Sequence, residues 1–533
     1  MFQQEELILK AYEEGQTYLK FIRRPDIPAQ LRLYIAGVAL FEQEYGQITA
    51  LSRRYKISRT FIYELRNKLL ISGWVVFGMS PNTSKEHKSG GEKEEQLALL
   101  REILSLRLEG KCPIIGISLL LKRRGLKSSS IGYVSQVLKE IGSSLSPVLE
   151  GTETLNLAVV FASDEVFSSN RPLLITVDPI SSAILRMELG KDRKSDSWET
   201  HWNSLLASGF MPILLTNDDG TGMKSAQVKA LKGIARQGDV YHGIAHRLGD
   251  ICRILEQKAW ASAKKEYDKE RNIESVVKED KVEKRFAIYE QAKLKSKKVI
   301  ELYDDFKLYY EYMIEQFQVF DEQGNPRKVE ISKENLEEGI AAMETLGHSK
   351  ANKELKTIHN LKDSLFYFLG RANKVVQFLK RSCTNEGQKK ALKAVCRAYQ
   401  YQKNYRKVKK ATSKKYYRKK EAEWLMTAQL YLGNYKEQTI SFEDFKKQCY
   451  QQLDTIVQSS AMVETINSIV RMYLNSCKNQ INQPFLNLIM FYHNHRRYVQ
   501  GKRKNFTPME LLTGQKQEKD WLDLMLLKVG KAA

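Results

Sequence analysis

Hydrophobic and polar positions repeat along this chain with two different periods, and the changes of period divide it. Over the first 75 residues the apolar positions recur at helical spacing, through QLRLYIAGVALFEQEYG and ITALSRRYKISRTFIYELRNKLL. In the second segment Thr49 is placed to cap a short helix that buries Ala50, Leu51 and Tyr55, and Lys56-Ile57-Ser58 makes a turn with Ser58 as the next N-cap. Ile62, Leu65 and Leu69 then face a core. That leaves Arg59, Thr60, Tyr63 and Arg66 outward, where the second helix of a helix-turn-helix meets a DNA major groove. A small bundle with a basic solvated face is the alternative.

The stretch VFGMSPNTSKEHKSGGEK has no apolar periodicity and predicts a linker, assigned to residues 76–92. EEQLALLREILSLRLEG, PIIGISLLLKRRG and SSSIGYVSQVLKEIG predict three more helices, a second helix-turn-helix-like domain over 93–148. Near residue 155 the period shortens. LAVVFASDEVF, PLLITVDPISSAILRMEL and FMPILLTNDDG are β-branched apolar runs, with the helical SDSWETHWNSLLASG between the last two, which predicts an α/β core with a central sheet over 155–255. Residues 256–445 return to helical spacing in Lys/Glu-rich sequence, an all-helical insertion. Residues 450–515 resume the core and 516–533 form a C-terminal tail. The expected class is multidomain, α/β plus all-α.

Charge narrows the partners. In 533 residues, 86 Lys and Arg face 63 Asp and Glu, a formal net charge of +23, which favours a polyanion and nucleic acid above all. From Arg397 to Lys420 eleven basic side chains stand with no acidic one, interleaved with Tyr399, Tyr401, Tyr405, Tyr416 and Tyr417. Such a stretch suits phosphates and stacked bases; an exposed charged helix is the other reading. The six cysteines are scattered without zinc-ligand spacing, the start MFQQEELILK lacks a signal-peptide core, and no apolar run approaches the ~20 residues of a membrane span. A cytoplasmic protein without membrane contact is expected.

Candidate chemistry rests on three carboxylates. Asp164 lies toward the end of the first apolar run, where a sheet presents side chains to solvent. Asp218 ends the third run before Asp219 and Gly220-Thr221-Gly222, and could sit beside Asp164 if the two strands are neighbours. Glu464 comes from SSAMVETINSIVRMYLNSC, where Val463, Ile466, Val470 and Tyr473 mark an apolar stripe and Glu464, Asn467, Ser468 and Arg471 a polar face beside it. A pair of divalent ions about 3.5–4 Å apart needs such hard oxygen ligands, and Mg²⁺ or Mn²⁺ prefers them. Asp178 is placed to cap a turn before Ser181. His242 and His246 could contact a phosphate or be structural, and Trp260 and Trp424 are expected in the core. Arg471, Arg496, Arg497, Lys502, Arg503 and Lys504 could contact a DNA backbone.

With SDEVFSSNRPLLITVDPISSAIL, TNDDGTGM and VETINSIVRMYLNSCKN followed by FLNLIMFYHNHRRYVQGKRKNFTPMELLTG, the chain resembles the DDE transposases of bacterial insertion sequences, relatives of retroviral integrases in the RNase H-like superfamily. The resemblance covers about 155–250 and 455–515. It implies an RNase H-like catalytic core with its first aspartate on the first strand (Asp164), its second after the fourth strand in a D-x-G context (Asp218, with Asp219 the substitute), and its glutamate on a later helix (Glu464). The long stretch between Asp218 and Glu464 departs from uninterrupted members and matches those with a helical insertion. It further implies two Mg²⁺ or Mn²⁺ ions, double-stranded DNA as partner at transposon ends and target, a homodimer or higher oligomer on DNA, and a bacterial, nucleoid-associated location. A non-catalytic DNA-binding regulator derived from a transposase, or a metal-dependent structure-selective nuclease, are the alternatives.

Overall fold

A computed structural model describes residues 24, 26–41, 46–76, 88–126, 128–150, 156–217, 220–274, 279–433 and 440–530. They are mostly helical with one five-stranded mixed sheet, and the chain divides into two compact units, Met1–Leu100 and Arg101–Ala533.

In the first unit α1 (Ala29–Phe41), α2 (Gln47–Tyr55) and α3 (Arg59–Val76) close around Ile35, Leu51, Ile57, Ile62 and Leu65. Gly46, at φ 90, takes the left-handed turn that starts α2, so the helix begins before Thr49 and that residue is interior rather than a cap. Ala50 is exposed and Tyr55 half-buried, leaving Leu51 as the buried one of the three. Lys56, at φ 50, ends α2, and the Ser58 hydroxyl accepts the Phe61 N–H at 3.2 Å to cap α3 as expected. Arg59, Thr60 and Tyr63 are exposed; Arg66 is half-buried, its guanidinium 5.0 Å from the Tyr63 ring centre. The next helix, α4 (Lys88–Leu108), takes in the Ser-Gly-Gly end of the expected linker. Helix propagation adds a hydrogen bond per residue, so a strong helical run carries its leading residues with it.

The second unit continues from α4 through α5 (Ile114–Arg123) and α6 (Ile131–Ser143) into the sheet. Its elements are β1 (Ala158–Ser168), β2 (Arg171–Val177), β3 (Ile184–Leu189), α7 (Ser195–Ala207), β4 (Met211–Asn217), α8 (Thr221–Ala230) and β5 (Arg236–Gly238). The strand order is β3-β2-β1-β4-β5, with β1, β2 and β3 antiparallel in sequence and β4 parallel to both β1 and β5. The run PLLITVDPISSAILRMEL holds two strands, reversed at Asp178. That carboxylate accepts the Ser181 N–H (2.8 Å), the Ser181 hydroxyl (2.6 Å) and the Val160 N–H (3.1 Å), the capping role expected of it. One face of the sheet packs Phe161, Leu174, Leu185 and Leu215 against Trp198, Trp202 and Met223 of α7 and α8.

From β5 the chain enters the helical insertion: α9 (His246–Glu274), α10 (Glu279–Glu315), α11 (Val329–Glu344), α12 (Ser349–Leu365), α13 (Tyr367–Ser382), α14 (Glu386–Lys407), α15 (Ala411–Gly433) and α16 (Phe442–Leu453). They share one apolar core that extends from Val240 to Ile456, wider at both ends than the helical spacing suggests. Then α17 (Ala461–Ser476) returns to the sheet, followed by α18 (Gln483–His495), α19 (Pro508–Thr513) and α20 (Trp521–Lys528).

Residues 101–148 pack on these last helices. A Cβ on Gly142 would fall 2.1 Å from the Pro484 carbonyl oxygen, so only glycine lets α6 approach α18, and Asn487 Nδ2 donates to the Gly142 (3.0 Å) and Leu145 (2.6 Å) carbonyls. Arg107 donates to the Cys112 carbonyl (2.7 Å) and the Ser476 hydroxyl (2.9 Å). Among the described residues no helix is long and apolar enough to cross a membrane.

Candidate active site

Asp164 stands in the middle of β1, not at its end, because β2 pairs with β1 as far as Ser168. On the other side the described pairing with β4 runs from Ala158 to Ala162, two residues before Asp164. It is half-buried, and its Oδ1 accepts the Glu165 N–H at 2.8 Å.

Helix α17 reaches this strand. Val463, Ile466, Val470 and Tyr473 are buried, as their spacing predicts, and Asn467 is buried with them at 3% exposure. Asn467 Nδ2 donates to Asp164 Oδ2 at 2.7 Å across 303 positions of sequence. Its Oδ1 is buried and has no hydrogen-bond partner among the described residues. One turn earlier on the same helix is Glu464, with its side chain 42% exposed.

Glu464 Oε1 accepts a hydrogen bond from His242 Nε2 at 2.6 Å. His242 occupies a single turn of π-helix, Tyr241–Ala245, and its ring lies against those of Tyr241 and His246. Asp239 fixes both sides of this contact. Its Oδ1 accepts the N–H groups of Tyr241 (2.7 Å) and His242 (3.0 Å), and its Oδ2 accepts the N–H of Ser460 (2.7 Å) and the Ser460 hydroxyl. One buried carboxylate therefore ties the turn after β5 to the start of α17.

Asp218 and Asp219 lie outside the described residues. The last described residue of β4, Asn217, accepts from Arg236 Nη2 at 2.9 Å. Among the described residues no group of three or more His, Cys, Asp or Glu side chains converges as a metal centre. Asp164 and Glu464 nonetheless carry the hard carboxylate oxygens a divalent ion takes, and the Asn467 bond places Asp164 one helical turn from the position of Glu464 on α17. A cleft of about 850 Å³ lined by Glu165, Arg193, Lys194, Lys224 and Arg247 is a different place. Successive strand side chains alternate, so Glu165 faces away from Asp164 toward α7 and α8.

The basic candidates divide. Arg471 is exposed on α17, one turn beyond Asn467. Arg503 donates to the Pro179 (3.1 Å) and Ile180 (2.9 Å) carbonyls, and Arg497 pairs with Glu510 at 2.8 Å, so both serve the fold. Arg496 lies over the rings of Tyr492 and Tyr498, and Lys502 pairs with Asp454 at 3.0 Å. In the Arg397–Lys420 stretch, Arg397 and Tyr399 are buried whereas Tyr416 is exposed, so the stretch is part core and part surface. Trp424 packs half-buried on the insertion core, but Trp260, expected inside, is 73% exposed because it points off the outer face of α9.

Sequence spacing gave Asn467 a place on a polar face and no partner, and it gave Asp239 no role. The one local signal for Asn467 is its position a single turn from Glu464 on a helix whose neighbouring positions are apolar. No family model, curated protein or solved structure matches the chain.

Proposed function

We propose that this chain is a metal-dependent DNA strand-cleaving and strand-joining enzyme, a DDE-type transposase with an RNase H-like core. The observation that carries the reading is the Asn467–Asp164 hydrogen bond, which joins the first strand to a helix 303 positions later, one turn from Glu464. The order of parts is also the one the resemblance implies: the first aspartate on β1, a fourth strand that ends one residue before Asp218 and lies parallel to β1, and the glutamate on a late helix. Asp164, Asp218 and Glu464 are the proposed ligands of two Mg²⁺ or Mn²⁺ ions. Bound there, the ions would activate a water or a DNA 3′-hydroxyl and stabilise the leaving oxygen.

The chain's own side chains set the carboxylates. Asn467 fixes the Asp164 side chain, His242 fixes one oxygen of Glu464, and Asp239 holds the histidine turn and the helix start in one arrangement. Such outer contacts orient ligands before a metal arrives. The net charge of +23 and the outward Arg59, Thr60 and Tyr63 of α3 support binding to double-stranded element ends, and Arg471 supports contact with a strand crossing the site. Assembly of two or more copies on DNA belongs to the same reading.

The test is cleavage and end joining of DNA carrying the terminal inverted repeats that flank the coding sequence, with Mg²⁺ or Mn²⁺. Wild type is expected to nick and join, and Glu464→Gln to lose at least about a thousand-fold in cleavage, the equivalent of several kcal/mol, while binding DNA as before. Cleavage without joining would favour the nuclease, binding without cleavage the regulator, and full cleavage by Glu464→Gln would refute the site.

A further inference from the structure

We propose that Lys403, Lys407 and Lys502 form a binding site for a backbone phosphate of duplex DNA, at the seam between the end of α14 and the segment that leads into α17. The identity of the ligand rests on the functional reading above; the site itself rests on the following geometry.

Lys403 and Lys407 are one turn apart at the end of α14. The Lys403 ammonium lies 5.6 Å from the Tyr399 ring centre and donates to Gln458 Oε1 at 2.6 Å. The Tyr399 hydroxyl donates to Asp454 Oδ1 at 3.0 Å, and Asp454 Oδ2 pairs with Lys502 at 3.0 Å. The two lysines thus approach the Tyr399–Asp454 pair from its two ends, Lys403 at the tyrosine ring and Lys502 at the carboxylate. Arg406 adds a further cation and is bonded to Gln402, which also holds Glu421.

Positive charge is therefore in excess in a partly enclosed place. Burial, with Lys407, Lys502 and Arg406 nearby, pushes Lys403 down to about 7, and burial lowers Lys502 as well, while Lys407 is exposed at the rim. A phosphate would supply the missing anion. The place is also connected to the chemistry. Gln458 accepts the Val240 N–H on its carbonyl (3.1 Å) and donates from Nε2 to the Phe317 carbonyl (2.9 Å), two residues before Ser460 and the start of the Glu464 helix. A strand held here is held by the insertion and by the base of α17 together, which gives the insertion a part in positioning DNA at the carboxylates.

The experiment is fluorescence anisotropy of a labelled element-end duplex with the full chain in chelator, over a range of salt. Wild type, Lys403→Met, Lys502→Met, the double Met variant and Lys403→Arg are compared, each with a melting curve without DNA. Each Met substitution is expected to lower the slope of log affinity against log salt by about 1 and to weaken binding equally for all sequences, with Lys403→Arg retaining the slope. Stability without DNA should hold for Lys403→Met, where a buried like charge is removed along with the bond to Gln458, and fall only slightly for Lys502→Met, whose half-exposed pair with Asp454 is lost. A folded double variant with the wild-type slope would sink the site and leave the functional reading standing. Loss of the folding transition in both single variants would assign the lysines to structure and overturn it too. Wild type that binds no duplex would overturn both.

Discussion

The sheet and the helical insertion bury polar groups in opposite ways. Among the described residues, the buried polar side chains of the insertion are Ser296, Gln316, Ser332, Gln388, Arg397 and Gln400, with no Asp, Glu or His, around a continuous core of Leu, Phe, Ile and Met. The sheet and its covering helices enclose Asp178, Arg186, His201, Asp239, His493 and Glu510. These are joined through chains of hydrogen bonds such as Ser163–Thr176 (2.8 Å), Thr176–His201 (3.0 Å) and His201–Glu188 (2.7 Å), with Trp202 Nε1 donating to Ser163 at 3.1 Å. An apolar core gains stability from area alone, whereas a polar one requires every partner in place. The insertion is thus a body held by volume, and the sheet is a frame that fixes side-chain directions, which is what the proposed pair of metal-binding carboxylates would demand.

The largest expected effect tests the first half of that contrast. Phe368 is fully buried in the insertion core, and Phe368→Ala should cost about 3–5 kcal/mol in a denaturant titration. The loss should be the same at pH 5 and pH 8, since the core around it encloses no acid or histidine; a loss that changes with pH would break the comparison.

The next effect tests the second half. His493 Nε2 donates to the Ser182 carbonyl at 2.9 Å, and burial, helped by Arg496 and Arg503, pushes its pKa down to about 4. The folded value lies below the unfolded one of about 6.5, so the unfolded chain takes up the proton first. The contribution of His493 is complete above about 6.5 and is lost as pH falls from there to about 4, on the order of 3 kcal/mol in all. Stability of wild type and His493→Gln, measured from pH 4 to pH 7, should show a shallower slope in the variant. Equal slopes would remove His493 as the source.

What could be read from the sequence follows the same division. Local periodicity was enough for the Ser58 cap, the apolar stripe of α17, the strands and the turn at Asp178, because each depends on residues within a few positions of one another. Spacing could not show that β1 continues past Asp164, since that depends on β2 pairing to Ser168. Nor could it separate Arg471, exposed, from Arg503, whose partners are carbonyls more than three hundred positions away. Charge and residue type are the same in both cases, and only the fold decides whether the guanidinium is available.

The smallest effect is the sharpest test of the frame itself. Asn467 touches neither DNA nor a reacting atom in this reading; it acts through Asp164, so it is a positioning residue. Asn467→Ala should lower cleavage about 10- to 100-fold and raise the Mg²⁺ concentration needed for half-maximal cleavage by a similar factor, the range found when a contact behind a metal ligand is lost. DNA affinity in chelator should stay at the wild-type value, because the carboxylates and not the phosphate contacts are disturbed. A purely structural role would lower stability and DNA binding together and leave the metal dependence of the surviving activity unmoved. That pattern would mean the bond from α17 to β1 only packs the helix, and the arrangement of Asp164 and Glu464 would then need another cause.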